Sequence, residues 1–89
     1  MYKIKPLEWV YENTTEKYTD VEKQWSAYTE FAYFRIDKYR NDDELLTSCS
    51  FCRDWWYETF TDLEEAKKYC ENVWRDKLKK CLIMEKSNA

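Results

Sequence analysis

Eighty-nine residues without a single glycine cannot build a phosphate-cradling glycine loop or a dinucleotide-binding fingerprint. Histidine is absent as well, so the chain lacks the side chain whose unperturbed pKa lies nearest neutrality. In their place stand five Trp, eight Tyr and four Phe. This composition supplies large adhesive surface rather than catalytic chemistry. It reads as a small globular domain that works by contact, with no enzyme activity and no cofactor expected.

Residues 1–89 fit one domain. Folding should bury roughly 65% of the surface of a chain this size, enough for one core covered on one side. A net charge of −3, with 37% of residues charged, attracts nucleic acid only weakly at long range. No apolar run approaches about 18 residues, and the Met1–Trp9 segment lacks the apolar stretch of a signal peptide. The expected location is the cytoplasm, where the four cysteines stay reduced. Asn13-Thr14-Thr15 matches a glycosylation acceptor, which in that compartment is only turn chemistry.

Pro6 disfavours helix at Lys5. From Leu7 to Glu12, apolar and polar residues alternate with the period of a strand. A polar connection then runs from Asn13 to about Lys23. Trp25, Ala27 and Thr29 predict a second strand, and a tight reversal near Glu30–Ala32 leads to a third at Tyr33–Tyr39. Asn41, Asp42 and Asp43 signal a turn. The segment from Leu45 to about Tyr57 holds a fourth strand, and no residue in it marks where the strand ends. Asp62 and Glu65 then form a capping box, with Glu64 and Glu65 in the first helical turn and Lys77, Lys79 and Lys80 late. Leu63, Ala66, Cys70, Val73, Trp74, Leu78 and Cys81 share one stripe at about 100° per residue. The fold expected is therefore α+β, a four-stranded antiparallel meander with one C-terminal helix packed on one face.

The helix should cover Leu7, Trp9, Trp25, Ala27, Phe34, Ile36, Cys49 and Phe51. One helix cannot cover both faces of a sheet. The other face, carrying Val10, Tyr28, Tyr33, Arg35, Asp37 and Tyr39, is left for water or for another molecule. Adjacent side chains of a strand point to opposite sides, so Trp55, Trp56 and Tyr57 cannot all enter one core. Trp and Tyr are the commonest anchors of binding surfaces. Partner binding is accordingly expected at Trp55, Trp56, Tyr57, Tyr28, Tyr33, Arg35 and Tyr39, with a lid over the core as the rival role for the Trp55–Tyr57 run. The same tyrosines could stack nucleic-acid bases, but residues 1–44 carry ten acids against seven bases, which repels phosphate.

Cys49 and Cys52 have the spacing of half a zinc site or a redox pair. A complete site would need Cys70 and Cys81, whose helical separation of roughly 16 Å is too great for one metal. A redox role would fall to Cys52 beside Arg53. Small buried hydrophobes remain the main reading of these cysteines, with no metal expected. Asp42-Asp43 and Glu64-Glu65 lie where acids are usual, in a turn and a first helical turn.

Lys5-Pro6-Leu7-Glu8-Trp9, Trp25-Ser26-Ala27, Phe31–Ile36 and Phe60–Lys67 together resemble a group of short phage and prophage accessory proteins. Those proteins carry a Pro-Leu-x-Trp start, a Trp-x-Ala segment, a Tyr-x-Ile/Val strand and a Leu-Glu-Glu-Ala-Lys helix. This chain departs from them in having Ala32 where glycine often precedes the third strand, and in its Ser48–Trp56 stretch. The resemblance implies a phage accessory protein and carries over no functional residues. Small phage accessory proteins as a class often bind and block a host factor, CRISPR effectors included. The expected role is therefore binding and blocking a bacterial protein in the cytoplasm of the host cell, with an anti-CRISPR-type defence inhibitor among the candidates. Two alternatives stand beside it. One is a self-associating structural accessory protein whose partner is a second copy, and the other is a nucleic-acid-binding module.

Overall fold

The computed structural model describes residues 5–14 and 20–87, with side chains described as far as Lys80. Five strands and one helix follow in order: β1 Val10–Asn13, β2 Val21–Tyr28, β3 Ala32–Tyr39, β4 Leu45–Phe51, β5 Asp54–Phe60 and α1 Leu63–Ser87. Every neighbouring pair of strands is antiparallel and the sheet order is β1-β2-β3-β4-β5, a plain meander. The α+β class and the C-terminal helix agree with the sequence reading. The strand count does not.

The extra strand comes from dividing the long one expected at Leu45–Tyr57. Phe51 and Asp54 pair across a two-residue turn at Cys52 and Arg53. Cys52 takes a φ of 56° there, a conformation normally left to glycine. With no glycine to announce the turn, the chain reads as continuous. Cys52 is therefore in a loop and not in a strand with Cys49. The second reversal falls at Thr29–Phe31, where the Thr29 hydroxyl accepts the Ala32 N–H at 2.8 Å, so Ala32 already begins β3.

Only Val10–Asn13 of the expected first strand joins the sheet. The residues before it form an arm on the helix side. Leu7 N–H donates to Glu71 Oε1 at 3.0 Å, and the Trp74 indole N–H donates to the Lys5 carbonyl at 3.1 Å. Backbone groups spent on the helix cannot serve a ladder, so the alternation from Leu7 marks burial rather than pairing. Thr14 is buried, with its hydroxyl on the Val21 carbonyl at 2.8 Å. Thr15 and the centre of the polar connection lie outside the described residues, as does the Cys81 side chain. The strand following that connection starts earlier than expected, at Val21.

Asp62 caps α1, its Oδ1 accepting the Glu64 N–H at 3.3 Å. The helix lies across β3, β4 and β5, while the arm supplies Leu7 and Trp9 at the remaining side of the same face. Phe34 and Ile36 are fully buried at the centre, with Ala27, Cys49, Phe51, Ala66, Cys70 and Trp74 around them. Trp25 and Trp9 are half-buried at the margin beside Ile36 and Ala66. The expected core face is thus the observed one, widened by Leu45 and Thr47. No helix among the described residues is long and apolar enough to cross a membrane.

Candidate interaction surface

Strand register fixes which side chains share the face away from the helix. Three rows cross it: Tyr28–Tyr33–Ser50–Trp55, Val10–Ser26–Arg35–Ser48–Tyr57, and Glu12–Gln24–Asp37–Leu46–Thr59. The split of the long strand is what brings Trp55 and Tyr57 beside Tyr33 and Arg35. Trp55 is 66% exposed and Tyr57 54%, their rings meeting edge to face at 5.2 Å. At the other end of the first row, Tyr28 and Tyr33 lie 4.3 Å apart between ring centres. Between these pairs is a shallow depression of about 140 Å³ with Ser48 and Ser50 in its lining.

Although α1 packs on the other side of the sheet, this face includes a buried acid. Asp37 is only 1% exposed. Its Oδ1 accepts from Gln24 Nε2 at 2.9 Å, and its Oδ2 lies 3.0 Å from Arg35 Nε as an ion pair without hydrogen-bond alignment. Burial works against the Arg35 charge, but Asp37 and then Tyr33 outweigh it and hold its pKa above the ordinary value. Burial, and next its hydrogen bond with Tyr28, push the Tyr33 hydroxyl up, so Tyr33 remains a neutral donor well above pH 7. The arrangement offers stacking area, one fixed cation and several hydroxyls, among them those of Tyr28, Tyr33 and Tyr57. It holds no nucleophile paired with a base.

Of the seven residues expected to bind, five share this region: Tyr28, Tyr33, Arg35, Trp55 and Tyr57. Trp56 belongs to the opposite face. Its indole N–H donates to the Tyr69 hydroxyl at 2.9 Å, and Lys77 Nζ sits 5.2 Å from its ring centre. Trp56 packs against the core cluster, the side on which the lid alternative would put it, whereas Trp55 and Tyr57 are exposed on the open face. Tyr39 is half-buried opposite Val21, six residues along β3 from Tyr33, or about 20 Å. It stands apart from the cluster.

A second concavity, about 410 Å³, lies between the arm, Trp74 and the Thr29–Phe31 turn, with Phe31 53% exposed at its margin. The sequence does contain a signal for it, since a phenylalanine at the tip of a polar reversal has no core to enter.

Cys49 and Cys70 are buried and face one another across the sheet–helix interface, near enough to hydrogen-bond, and that contact followed by burial pushes the Cys70 thiol strongly up. They pack with the core around Phe34. Cys52 is exposed in the turn. Among the described residues no group of three or more Cys, Asp or Glu is placed to hold a metal ion. Compared with known protein families, curated proteins and solved structures, the chain matches none.

Proposed function

We propose that the protein acts by stoichiometric binding of another protein through the open sheet face, and that it is a phage accessory protein blocking a bacterial host factor, with defence effectors of the CRISPR type as the target class. The observation that carries the binding reading is the grouping of Trp55, Tyr57, Tyr28 and Tyr33 around an Arg35 already held by Asp37. Aromatic and arginine side chains dominate binding energy when a partner desolvates them, and Arg35 is paired with Asp37 before a partner arrives. The phage assignment rests on the resemblance of the Pro-Leu-Glu-Trp start and the Leu63–Lys67 helix. Glu12 and Asp37 on the same face disfavour phosphate, which sets the nucleic-acid reading behind a protein partner.

The test is affinity capture from a bacterial lysate with the wild type and a Trp55→Ala, Tyr57→Ala double variant. Both side chains are exposed, so the circular dichroism spectrum should not change. Capture of the host protein should weaken by at least about 2 kcal/mol, roughly thirtyfold. A double variant that retains the same partner at the same affinity overturns the proposed surface. Salt-dependent binding of DNA without protein capture would favour the nucleic-acid module instead.

A further inference from the structure

The two edges of the sheet differ. β1 is four residues long, whereas β5 runs for seven with an uninterrupted register and no proline. A long regular edge is a template for another strand unless something blocks it. In a two-residue hairpin the residues flanking the turn form a hydrogen-bonded pair, and such pairs recur at every second position. Asp54, Trp56, Glu58 and Phe60 therefore direct their backbone groups to β4. Trp55, Tyr57 and Thr59 direct theirs outward.

We infer that a second copy of the chain occupies this edge, β5 pairing with β5 antiparallel about a two-fold axis at Tyr57, to give one continuous sheet. That register sets Tyr57 opposite Tyr57 and Trp55 opposite Thr59, so every outward backbone group of the three residues has a mate. A foreign strand could form the same ladder, but the charges of this edge suit the edge itself. Moving the axis to Trp56 places Asp54 opposite Glu58, and moving it to Glu58 places Glu58 opposite itself. Like charges directly opposite are destabilising, so neighbouring registers are disfavoured. With the axis at Tyr57, Glu58 instead faces Trp56 of the second copy, over which Lys77 is already held at 5.2 Å. An acid on an edge strand normally deters pairing. Here the second copy brings the counter-charge.

The dimer leaves both open faces on one side, so it does not depend on the proposed host contact and doubles the area available to it. Sedimentation velocity over a range of concentrations should find a dimer for the wild type. Thr59→Pro removes one outward N–H while sparing the β4 ladder, since edge strands tolerate proline at such a position. It should weaken dimerisation by at least about tenfold with the melting profile of the monomer retained. Glu58→Lys and Lys77→Glu should each weaken the dimer, and the combined exchange should restore it. Loss in the single variants with recovery in the double supports the pairing even if Thr59→Pro fails to fold. A wild type that remains monomeric up to about 1 mM overturns it. So does a folded Thr59→Pro protein that dimerises as tightly as the wild type, or an exchange variant that does not recover.

Discussion

The two faces of one sheet reach order by different means. Under α1, Phe34 and Ile36 are buried by a layer of other apolar side chains, and any similar volume would serve. On the open face, which α1 does not cover, Asp37 is as buried as they are. Arg35 forms an ion pair with it and Gln24 donates a hydrogen bond to it. Packing there depends on particular charges and bonds rather than on volume. A face of that kind is preorganised, with part of the ordering cost of binding already met before a partner arrives.

The largest expected contrast is between two tryptophans. Trp74 is 7% exposed and touches Phe51 at 6.1 Å between ring centres, whereas Trp55 stands in solvent. Trp74→Ala should lose about 3–5 kcal/mol in urea titration, and Trp55→Ala should stay within about 0.5 kcal/mol. Equal losses would abolish the distinction between a covered and an open face. Trp56→Ala should fall between them at about 2–3 kcal/mol, because it removes part of the lid and leaves the Tyr69 hydroxyl without its donor.

The contrast between faces is largely legible in the amino-acid sequence. Alternation in Trp25–Ala27 and Phe34–Ile36 names the covered side, and the Asp62 cap with a 3.6-residue stripe names the helix that covers it. Two features are not legible there. Pairing partners are not local, so Leu7 can alternate like a strand residue while giving its N–H to Glu71. The β4–β5 turn is hidden because its chemistry is atypical, a cysteine and an arginine serving where Asn-Gly or Gly-x is usual. A hidden turn conceals the site as well, since only the hairpin carries Trp55 and Tyr57 back beside Arg35.

The order of the open face can be tested at its one buried charge. Asp37→Ala takes the acceptor from Gln24 and the counter-charge from Arg35, a loss of about 1–3 kcal/mol. Arg35 is partly exposed and can turn to water, which keeps the cost below that of Trp74→Ala. Asp37→Asn, which retains an acceptor for Gln24, should lose less. If Asp37→Ala unfolds at the wild-type urea concentration, the Gln24–Asp37–Arg35 network contributes no order and the face is simply wet.

A smaller effect, and a gain, is expected at the turn that joins β4 and β5. Cys52 is one of two residues with positive φ among those described, at 56°, and Asn41 is the other at 60°. Holding an ordinary side chain in the left-handed region costs about 1–2 kcal/mol, while a glycine placed there loses about 0.5–1 kcal/mol more chain entropy on folding. Cys52→Gly should therefore gain about 0.5–1 kcal/mol, a rise in melting temperature of about 2–8 °C. Asparagine tolerates the left-handed region by local hydrogen bonding, so Asn41→Gly should gain less or nothing. Equal melting temperatures for the Cys52→Gly and wild-type proteins would mean that the turn is not held in the strained conformation. The register that brings Trp55 and Tyr57 beside Arg35 would then lose its support.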